Sequence, residues 1–165
     1  MRARDYFFSF TGRINRARWW LFLAIVTPSL MFMLMAFWTY ALSIPGAYEN
    51  GGPTPWPSDP VGIVGAILFF AVLFSIFVAA LAVTVKRLHD RDKAWWWIAI
   101  FVFVPDLMFA GAFSKAVTIG GANMSDALRV AGFAAAALYV WGFVELACLP
   151  GTRGVNRFGP DPLAL

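Results

Sequence analysis

The stretch VKRLHDRDKAWWW, residues 85–97, places seven ionisable side chains within eight positions, from Lys86 to Lys93, directly before three consecutive tryptophans. Residues 61–84 precede this charged run without a single charge, and residues 94–113 carry only one carboxylate. A helix needs roughly 20 mostly apolar residues to cross about 30 Å of hydrocarbon. The stretch therefore predicts a charged connection at headgroup level between two membrane-spanning helices.

The composition of the whole chain supports a lipid environment. Hydrophobic residues make up 61% of the 165 residues, charged residues make up 13%, and the mean hydropathy is +0.71. A soluble chain of this size covers its surface with roughly a quarter of charged residues. We therefore expect an integral membrane protein, with all residues, 1–165, in a single membrane domain.

Four stretches are long enough to span the bilayer. They are residues 19–42, 61–84, 94–113 and 130–149; the last two each contain one carboxylate, Asp106 and Glu145. The first exceeds the roughly 7 to 15 residues of a signal-peptide core, so it predicts a retained helix. The expected fold is all-α: a four-helix transmembrane bundle with an interfacial N-terminal segment and a turn-rich cytoplasmic tail.

The basic residues predict the orientation of this bundle. Eleven of the 13 Lys and Arg residues fall before the first span, between the second and third spans, or after the fourth. Only Lys115 and Arg129 belong to the opposite loops. Since basic residues in short loops remain cytoplasmic, both termini and the central loop of this multi-pass protein are expected there.

Segments outside the spans have their own signals. Residues 1–18 carry an apolar edge, Phe7, Phe10, Ile14 and Ala17, beside arginines, which suits a segment in the headgroup plane. Gly12 is expected to interrupt this segment, and Asn15 to cap the first spanning helix. Residues 150–165 are rich in Gly and Pro, and would fold back onto the membrane face. Three further expectations concern loops: Tyr48 and Trp56 lie at the interface, and Ser125 or Asp126 caps the fourth helix.

Tryptophan prefers the membrane interface because its ring is apolar and its N–H stays hydrated. Trp95, Trp96 and Trp97 are therefore expected to anchor the third helix. A purely topogenic loop has no need of His89 and the two aspartates beside it. His89 and Asp90 point in different directions on a helix, so they should have separate partners.

The acidic residues have candidate partners. Asp90 and Asp92 are expected to pair with arginines of the other cytoplasmic segments, Arg13, Arg16 or Arg157. Glu145 falls close to the membrane boundary and could pair with Arg87 or Arg153. Asp106 lies deeper and follows Pro105, which bends a helix. It either lines a polar pocket or belongs to a turn that ends a re-entrant segment.

Several classes of site are not indicated. One cysteine, Cys148, and one histidine exclude a disulfide framework and a Cys/His metal site, and the sequence suggests no cofactor. The sequence contains no recognisable nucleic-acid-binding motif. Membrane orientation and nearby anionic lipid explain the basic residues. An enzyme with His89 as a base would lack a nucleophile, so no catalytic residue is assigned.

Three segments resemble the hallmark motifs of the bacterial inner-membrane family called domain of unknown function 805. The segments are FSFTGRINRARWW at 8–20, KRLHDRDKAWWW at 86–97 and GVNRFGPDP at 154–162. The residues that match are Gly12, Arg13, Arg16 and Trp20; Arg87, Leu88, His89, Asp90, Trp96 and Trp97; and Asn156 to Pro162. The resemblance implies an inner-membrane protein without an established activity. The family often has an acidic residue three positions after the helix cap, where this chain has Arg18. Residues 106–128 are interpreted as an insertion relative to shorter members of the family.

The favoured hypothesis is a binding or interaction module with a polar patch at the cytoplasmic headgroup level. In it Arg13, Arg16 and Arg87 contact anionic lipid headgroups or a ligand, while Asp90 and Asp161 orient those arginines. The full patch, functional or structural, comprises these five residues together with His89, Trp95, Trp96, Trp97, Asn156 and Arg157. The expected partners are membrane lipids, with a membrane protein or a second copy as further options. The alternative is a small transporter or channel using Asp106 and Glu145.

Overall fold

The computed structural model describes residues 3–43, 60–119 and 126–164. Within these ranges the regular structure is helical and contains no strand. The helices are α1 Ala3–Phe8, α2 Arg16–Ser43, α3 Pro60–Asp90, α4 Val104–Ile119 and α5 Asp126–Phe143. Two π-helical turns adjoin them: Ala99–Phe103 leads into α4, and Val144–Cys148 extends α5.

Within the described ranges, three helices are long and apolar enough to cross a membrane: Arg16–Thr39, Pro60–Asp90 and Asp126–Cys148. They coincide with the predicted spans 19–42, 61–84 and 130–149, so the all-helical prediction is confirmed. The predicted span 94–113 corresponds to a shorter apolar helix, Ala99–Gly111. The four-span bundle is therefore shown only in part.

Helix α3 ends later than its apolar run predicts. It continues past Thr84 to Asp90, and residues 85–90 are all buried. The predicted end of this helix near Thr84 was therefore wrong, and protein groups rather than water surround the side chains of Lys86 and Arg87. The charged end of α3 is thus part of the protein interior.

The N-terminal segment is not one helix. Helix α1 stops at Phe8, Gly12 adopts a φ of +87°, and α2 starts at Arg16. The backbone N–H of Arg18 donates to Asn15 Oδ1 at 2.9 Å, so the predicted interruption and cap are confirmed. The predicted apolar edge is wrong at Ile14, whose side chain is buried because the chain turns inward there.

The buried core lies at one end of the bundle, where α2 begins and α3 and the α5 extension end. Its members are Ile14, Trp19, Phe22, Ala79, Val83, Val85, Leu88, Ile98, Phe101, Leu146 and Ala147. Elsewhere large apolar side chains are exposed, as at Phe32 and Val61. This distribution suits helices that face lipid over most of their length and pack tightly at the charged end.

The turn before α4 has a local cause. Pro105 is fully buried and lacks the N–H that would bond to the carbonyl of Phe101. The N–H of Val104 instead reaches back five residues to the Ala99 carbonyl, as in a π-helix. The predicted irregularity at Pro105 is therefore present as a π-helical turn, and a helix continues beyond it. Of the predicted loop features, Tyr48, Trp56 and Ser125 lie outside the described residues, while Asp126 is the first residue of α5.

Candidate functional site

Two arginines and one aspartate form a buried cluster that we call the ionic node: Arg13, Arg87 and Asp90. Asp90 Oδ1 accepts from Arg13 Nε at 3.2 Å and from Arg13 Nη2 at 3.0 Å. Asp90 Oδ2 accepts from Arg87 Nη1, one turn earlier on α3. Asp90 is 2% exposed and Arg87 is 0% exposed. The predicted pairing of Asp90 with an arginine of another segment is confirmed at Arg13.

Arg13 also ties the node to the C-terminal tail. Its Nη1 donates to the carbonyl of Gly154 at 2.7 Å and more weakly to that of Gly159 at 3.3 Å, and its Nη2 donates to the carbonyl of Thr152 at 2.5 Å. The five N–H groups of this guanidinium are thereby matched to protein acceptors. Its predicted contact with a lipid headgroup is not available in this structure, because the side chain is saturated and buried.

Arg87 ties the node to the end of the α5 extension. Its Nε donates to the Leu146 carbonyl at 2.8 Å, and its Nη2 to the Leu149 carbonyl at 2.5 Å. The last carbonyls of a helix have no partner within it, so cations there satisfy them and interact well with the helix dipole. Arg87 therefore has a structural role at the meeting point of α3 and α5.

Residues at the start of α2 reach the same helix end from the other side. Arg16 Nη1 donates to the Cys148 carbonyl at 3.0 Å, and Trp20 Nε1 donates to the Ala147 carbonyl at 3.2 Å. Unlike Arg13, the Arg16 side chain stays exposed. Both side chains come from the first sequence motif, and their contacts place α2 against the end of the α5 extension.

The tail docks on α3 through His89. The His89 and Phe158 rings stack with centroids 3.8 Å apart and planes 5° apart. His89 Nδ1 lies 3.2 Å from the Gly12 carbonyl; since a carbonyl oxygen only accepts, Nδ1 carries the proton in this bond. Asn156 Nδ2 donates to the His89 carbonyl at 2.9 Å. The prediction of separate partners for His89 and Asp90 is confirmed.

Asp161 shapes the tail instead of orienting an arginine. Its carboxylate accepts from the backbone N–H of Leu163 at 2.9 Å and from that of Gly154 at 3.1 Å. These bonds lower the pKa of Asp161, with the Leu163 bond the larger cause. The prediction that Asp161 orients an arginine was wrong, because among the described residues its two oxygens accept from backbone N–H groups and from no arginine.

A second set of ion pairs surrounds the node. Arg157 Nε lies 3.1 Å from Asp92 Oδ1, so one of the three arginines predicted as candidates is the partner of Asp92. Glu145 contacts Arg91 at 3.3 Å and Lys93 at 3.8 Å. The expected partners of Glu145, Arg87 and Arg153, were wrong, because Arg87 is turned into the node and the turn after α3 brings two other cations to Glu145.

The aromatic residues after the charged run divide into two groups. Trp95 and Trp96 are exposed, as expected of interfacial anchors. Trp97 instead packs beside Phe101 and Trp141, with Lys93 Nζ 4.1 Å from its ring centroid. Trp97 thus links the start of the helical segment 97–119 to α5.

The two carboxylates of the predicted transport path have different partners. Asp106 accepts a hydrogen bond from the Tyr139 hydroxyl on α5, whereas Glu145 belongs to the basic rim of the node. In the described ranges, no ion pair or hydrogen bond connects these two carboxylates, and no group of three His, Cys, Asp or Glu side chains could hold a metal ion.

Three features of the site were not predicted. Lys86 is fully buried, and its Nζ donates to the carbonyls of Asp5 and Tyr6, 2.8 Å away in the case of Asp5. The Thr152 hydroxyl donates to the Asp90 carbonyl on α3 and accepts from Asn156 within the docked tail. Gly151 passes so close to Asp90 that a Cβ atom there would clash with the carboxylate. Of these three, only the close approach at Gly151 could have been suspected from the sequence, because it is a glycine in a turn-rich tail.

Comparison with known proteins gives a family and no activity. A family model described as "Protein of unknown function (DUF805)" matches residues 7–160. The chain is similar to "Uncharacterized protein YiiR" of Escherichia coli strain K12 and of Escherichia coli O157:H7. In each case 26% of 161 aligned residues are identical, covering 98% of this chain and 90% of the relative. No solved structure matches the chain significantly.

Proposed function

The chain belongs to the DUF805 family, and we propose that it is a multi-pass protein of the bacterial inner membrane that binds anionic lipid headgroups, or a membrane partner, on its cytoplasmic side. We call the exposed arginines around the node, Arg16, Arg153 and Arg157, the arginine face. In this proposal the ionic node assembles the face, and the face does the binding.

The different burial of the arginines at this end supports the proposal, because some are buried and hydrogen-bonded within the protein whereas others are exposed. Arg13 and Arg87 donate their hydrogen bonds to Asp90 and to backbone carbonyls. They therefore hold the N-terminal segment, the end of α3 and the tail in place. The arginine face remains exposed at the same end. Guanidinium groups in the headgroup layer attract anionic lipid, at about 1 kcal/mol for each basic residue.

The proposed topology has four crossings with both termini inside. The helical segment 97–119 leaves the node end, and the α5 extension returns to it, where Glu145 meets Arg91. Helices α4 and α5 also pack along one another. A chain that leaves this face and returns to it twice has an even number of crossings. The excess of basic residues on this side favours the cytoplasm.

Retention of anionic lipid tests the proposal. The protein would be purified in a mild neutral detergent from membranes that contain phosphatidylglycerol, and its bound lipids would be quantified by mass spectrometry. We expect Arg153→Gln and Arg157→Gln each to lower the enrichment of phosphatidylglycerol relative to wild type. Arg129→Gln is the matched control, because this exposed arginine lies at the start of α5, away from the arginine face.

Equal enrichment in all four proteins would contradict the lipid form of the proposal. A membrane protein that copurifies with wild type and is lost from Arg157→Gln, but not from Arg129→Gln, would instead support the partner form. Both forms fail if neither lipid nor protein retention depends on the arginine face.

The transport hypothesis has one supporting observation. Asp106 is a carboxylate in an apolar helix, and polar groups at such depth often mark pathways. The hypothesis requires water to reach Asp106. In a Cys148→Ser background, Asp106→Cys should then react with a membrane-impermeant thiol reagent from one side; absence of reaction from both sides contradicts a path through this position.

A further inference from the structure

A small pocket with charged residues in its lining lies between the start of α2 and the docked tail. Its volume is about 260 Å³. This is slightly below the roughly 300 to 1,000 Å³ of pockets that bury drug-sized ligands, so it suits one compact polar group. The residues that line it are Asn15, Arg16, Asp90, Pro150, Gly151, Arg153, Asp161 and Leu163.

The charges in and behind this pocket are predominantly positive. Arg16 and Arg153 line it directly, and Arg13 and Arg87 lie behind Asp90. Four guanidinium groups against the carboxylates of Asp90 and Asp161 leave a net charge of +2. An anion in the pocket would therefore meet an attractive field.

The two carboxylates in the lining are already engaged. Asp90 directs one oxygen to each arginine of the node, and Asp161 accepts two backbone hydrogen bonds. Arg153, in contrast, makes no hydrogen bond or ion pair with the residues at 3–43, 60–119 and 126–164. Arg16 uses one N–H group on the Cys148 carbonyl and has others available. The lining thus offers donors to a ligand.

We propose that this pocket binds the phosphate group of a phosphodiester headgroup, with Arg16 and Arg153 as its two guanidinium ligands. Planar guanidinium groups form paired, charge-assisted hydrogen bonds with phosphate oxygens. This inference rests on the proposed function and narrows it to one site and one chemical group.

Phosphate of this kind could come from a lipid or from a soluble ester, and a binding experiment separates the two. Isothermal titration calorimetry on the full-length protein in neutral detergent would use three probes: dihexanoyl phosphatidylglycerol, the soluble phosphodiester glycerophosphoglycerol and inorganic phosphate. We expect saturable binding of one equivalent of the lipid probe. Binding of the lipid alone identifies a lipid site, whereas equal binding of glycerophosphoglycerol identifies a site for soluble phosphodiesters.

Arg153→Gln should weaken binding of the lipid probe about tenfold or more, since it removes a charge-assisted hydrogen-bond donor to phosphate. Arg157→Gln removes the same charge from the arginine face but does not line the pocket, so it should weaken binding clearly less than Arg153→Gln does. The control is Arg129→Gln, away from the arginine face, whose binding should stay within about twofold of wild type. Because Arg153 has no partner among the described residues, its variant should keep the wild-type melting temperature.

Two results would overturn the pocket assignment: binding of none of the three probes, or equal weakening by Arg153→Gln and Arg157→Gln. If the two variants weaken binding of the lipid probe equally, and phosphatidylglycerol enrichment still depends on Arg153 and Arg157, the pocket is refuted. The proposed function would then stand as a general attraction of anionic lipid to the arginine face. Loss of that enrichment effect as well would refute the proposed function itself.

Discussion

At the residue scale, the ionic node depends on a single carboxylate. Asp90 contacts both Arg13 and Arg87 and is almost fully buried. Two guanidinium groups beside one carboxylate leave a buried positive charge, which the carbonyls of the tail and of the α5 extension offset. Burying charges without such partners would cost several kcal/mol per ion.

Asp90→Asn should therefore destabilise the protein strongly. The substitution keeps the size of the side chain but leaves two buried cations without their anion, and breaking a buried pair costs about 3 to 5 kcal/mol. Asp92→Asn is the control, because its pair with Arg157 is exposed and such pairs contribute about 0 to 1 kcal/mol. Thermal unfolding in detergent compares the two; similar melting temperatures would refute a stabilising node.

Asp161 gives the tail a dependence on pH. The folded pKa of Asp161 lies below the ordinary 3.8, so its contribution to stability is complete above that value and is lost as the pH falls through the folded pKa. The melting temperature of wild type should exceed that of Asp161→Asn by a constant margin at neutral pH. This margin should shrink below about pH 4; a margin independent of pH down to 2 would argue against the bonds to Leu163 and Gly154.

Part of the site could be predicted from residue types. Opposite charges on segments predicted to share a membrane face named Arg13 and Arg157 among three candidate partners of Asp90 and Asp92, without saying which aspartate pairs with which arginine. The choice between Arg87 and Arg91 as the partner of Glu145 depends on where α3 ends, and an apolar run does not encode that. The backbone carbonyls that accept from Arg13 could not be predicted either, because every residue has a carbonyl and the sequence does not indicate which ones lie near an arginine.

At the element scale, the apolar runs predicted the helices better than their ends. Helix α3 extends six residues beyond the predicted Thr84 because Lys86 and Arg87 find carbonyl acceptors within the protein. Hydropathy counts such residues as if they faced water. The π-helical turns at 99–103 and 144–148 also escaped prediction, although Pro105 marked the first as irregular.

Contact between α5 and the helical segment 97–119 depends on Gly142. A Cβ atom at Gly142 would lie 3.0 Å from the Cβ of Phe101, whose ring packs against Trp97 and Trp141. We expect Gly142→Ala to lower the melting temperature, because Phe101 is buried and the separation is too short for ordinary packing.

The control for this contact is Gly132→Ala on the same helix. A Cβ atom there meets nothing within 4 Å, so the substitution should gain up to about 1 kcal/mol of helix propensity. If both variants are stabilised equally, Gly142 is not a contact point between the two helices.

At the scale of the whole molecule, the three long apolar helices and the asymmetry of basic residues support a membrane protein with one strongly basic side. The number of crossings determines the position of the tail. Four crossings put both ends of the chain on the same side, whereas three would separate the N-terminal segment from the tail that it contacts.

Reporter fusions at Leu165 test this topology. Four crossings predict that a fluorescent protein fused there is bright and that alkaline phosphatase fused there is inactive, as expected for a cytoplasmic position. The control fusion, truncated after Thr118, should show the opposite pattern. An active phosphatase behind Leu165 would require an odd number of crossings, provided that the N-terminus is cytoplasmic.

The central claim is that the N-terminal segment and the tail are held together on the end of α3. Spin labels at two exposed positions, Thr11 and Val155, report on this directly in a Cys148→Ser background by pulsed electron–electron distance measurement in lipid nanodiscs. We predict one narrow distance distribution in the wild-type node that broadens in Asp90→Asn. A broad distribution in the intact node, or one unchanged by Asp90→Asn, would contradict the account.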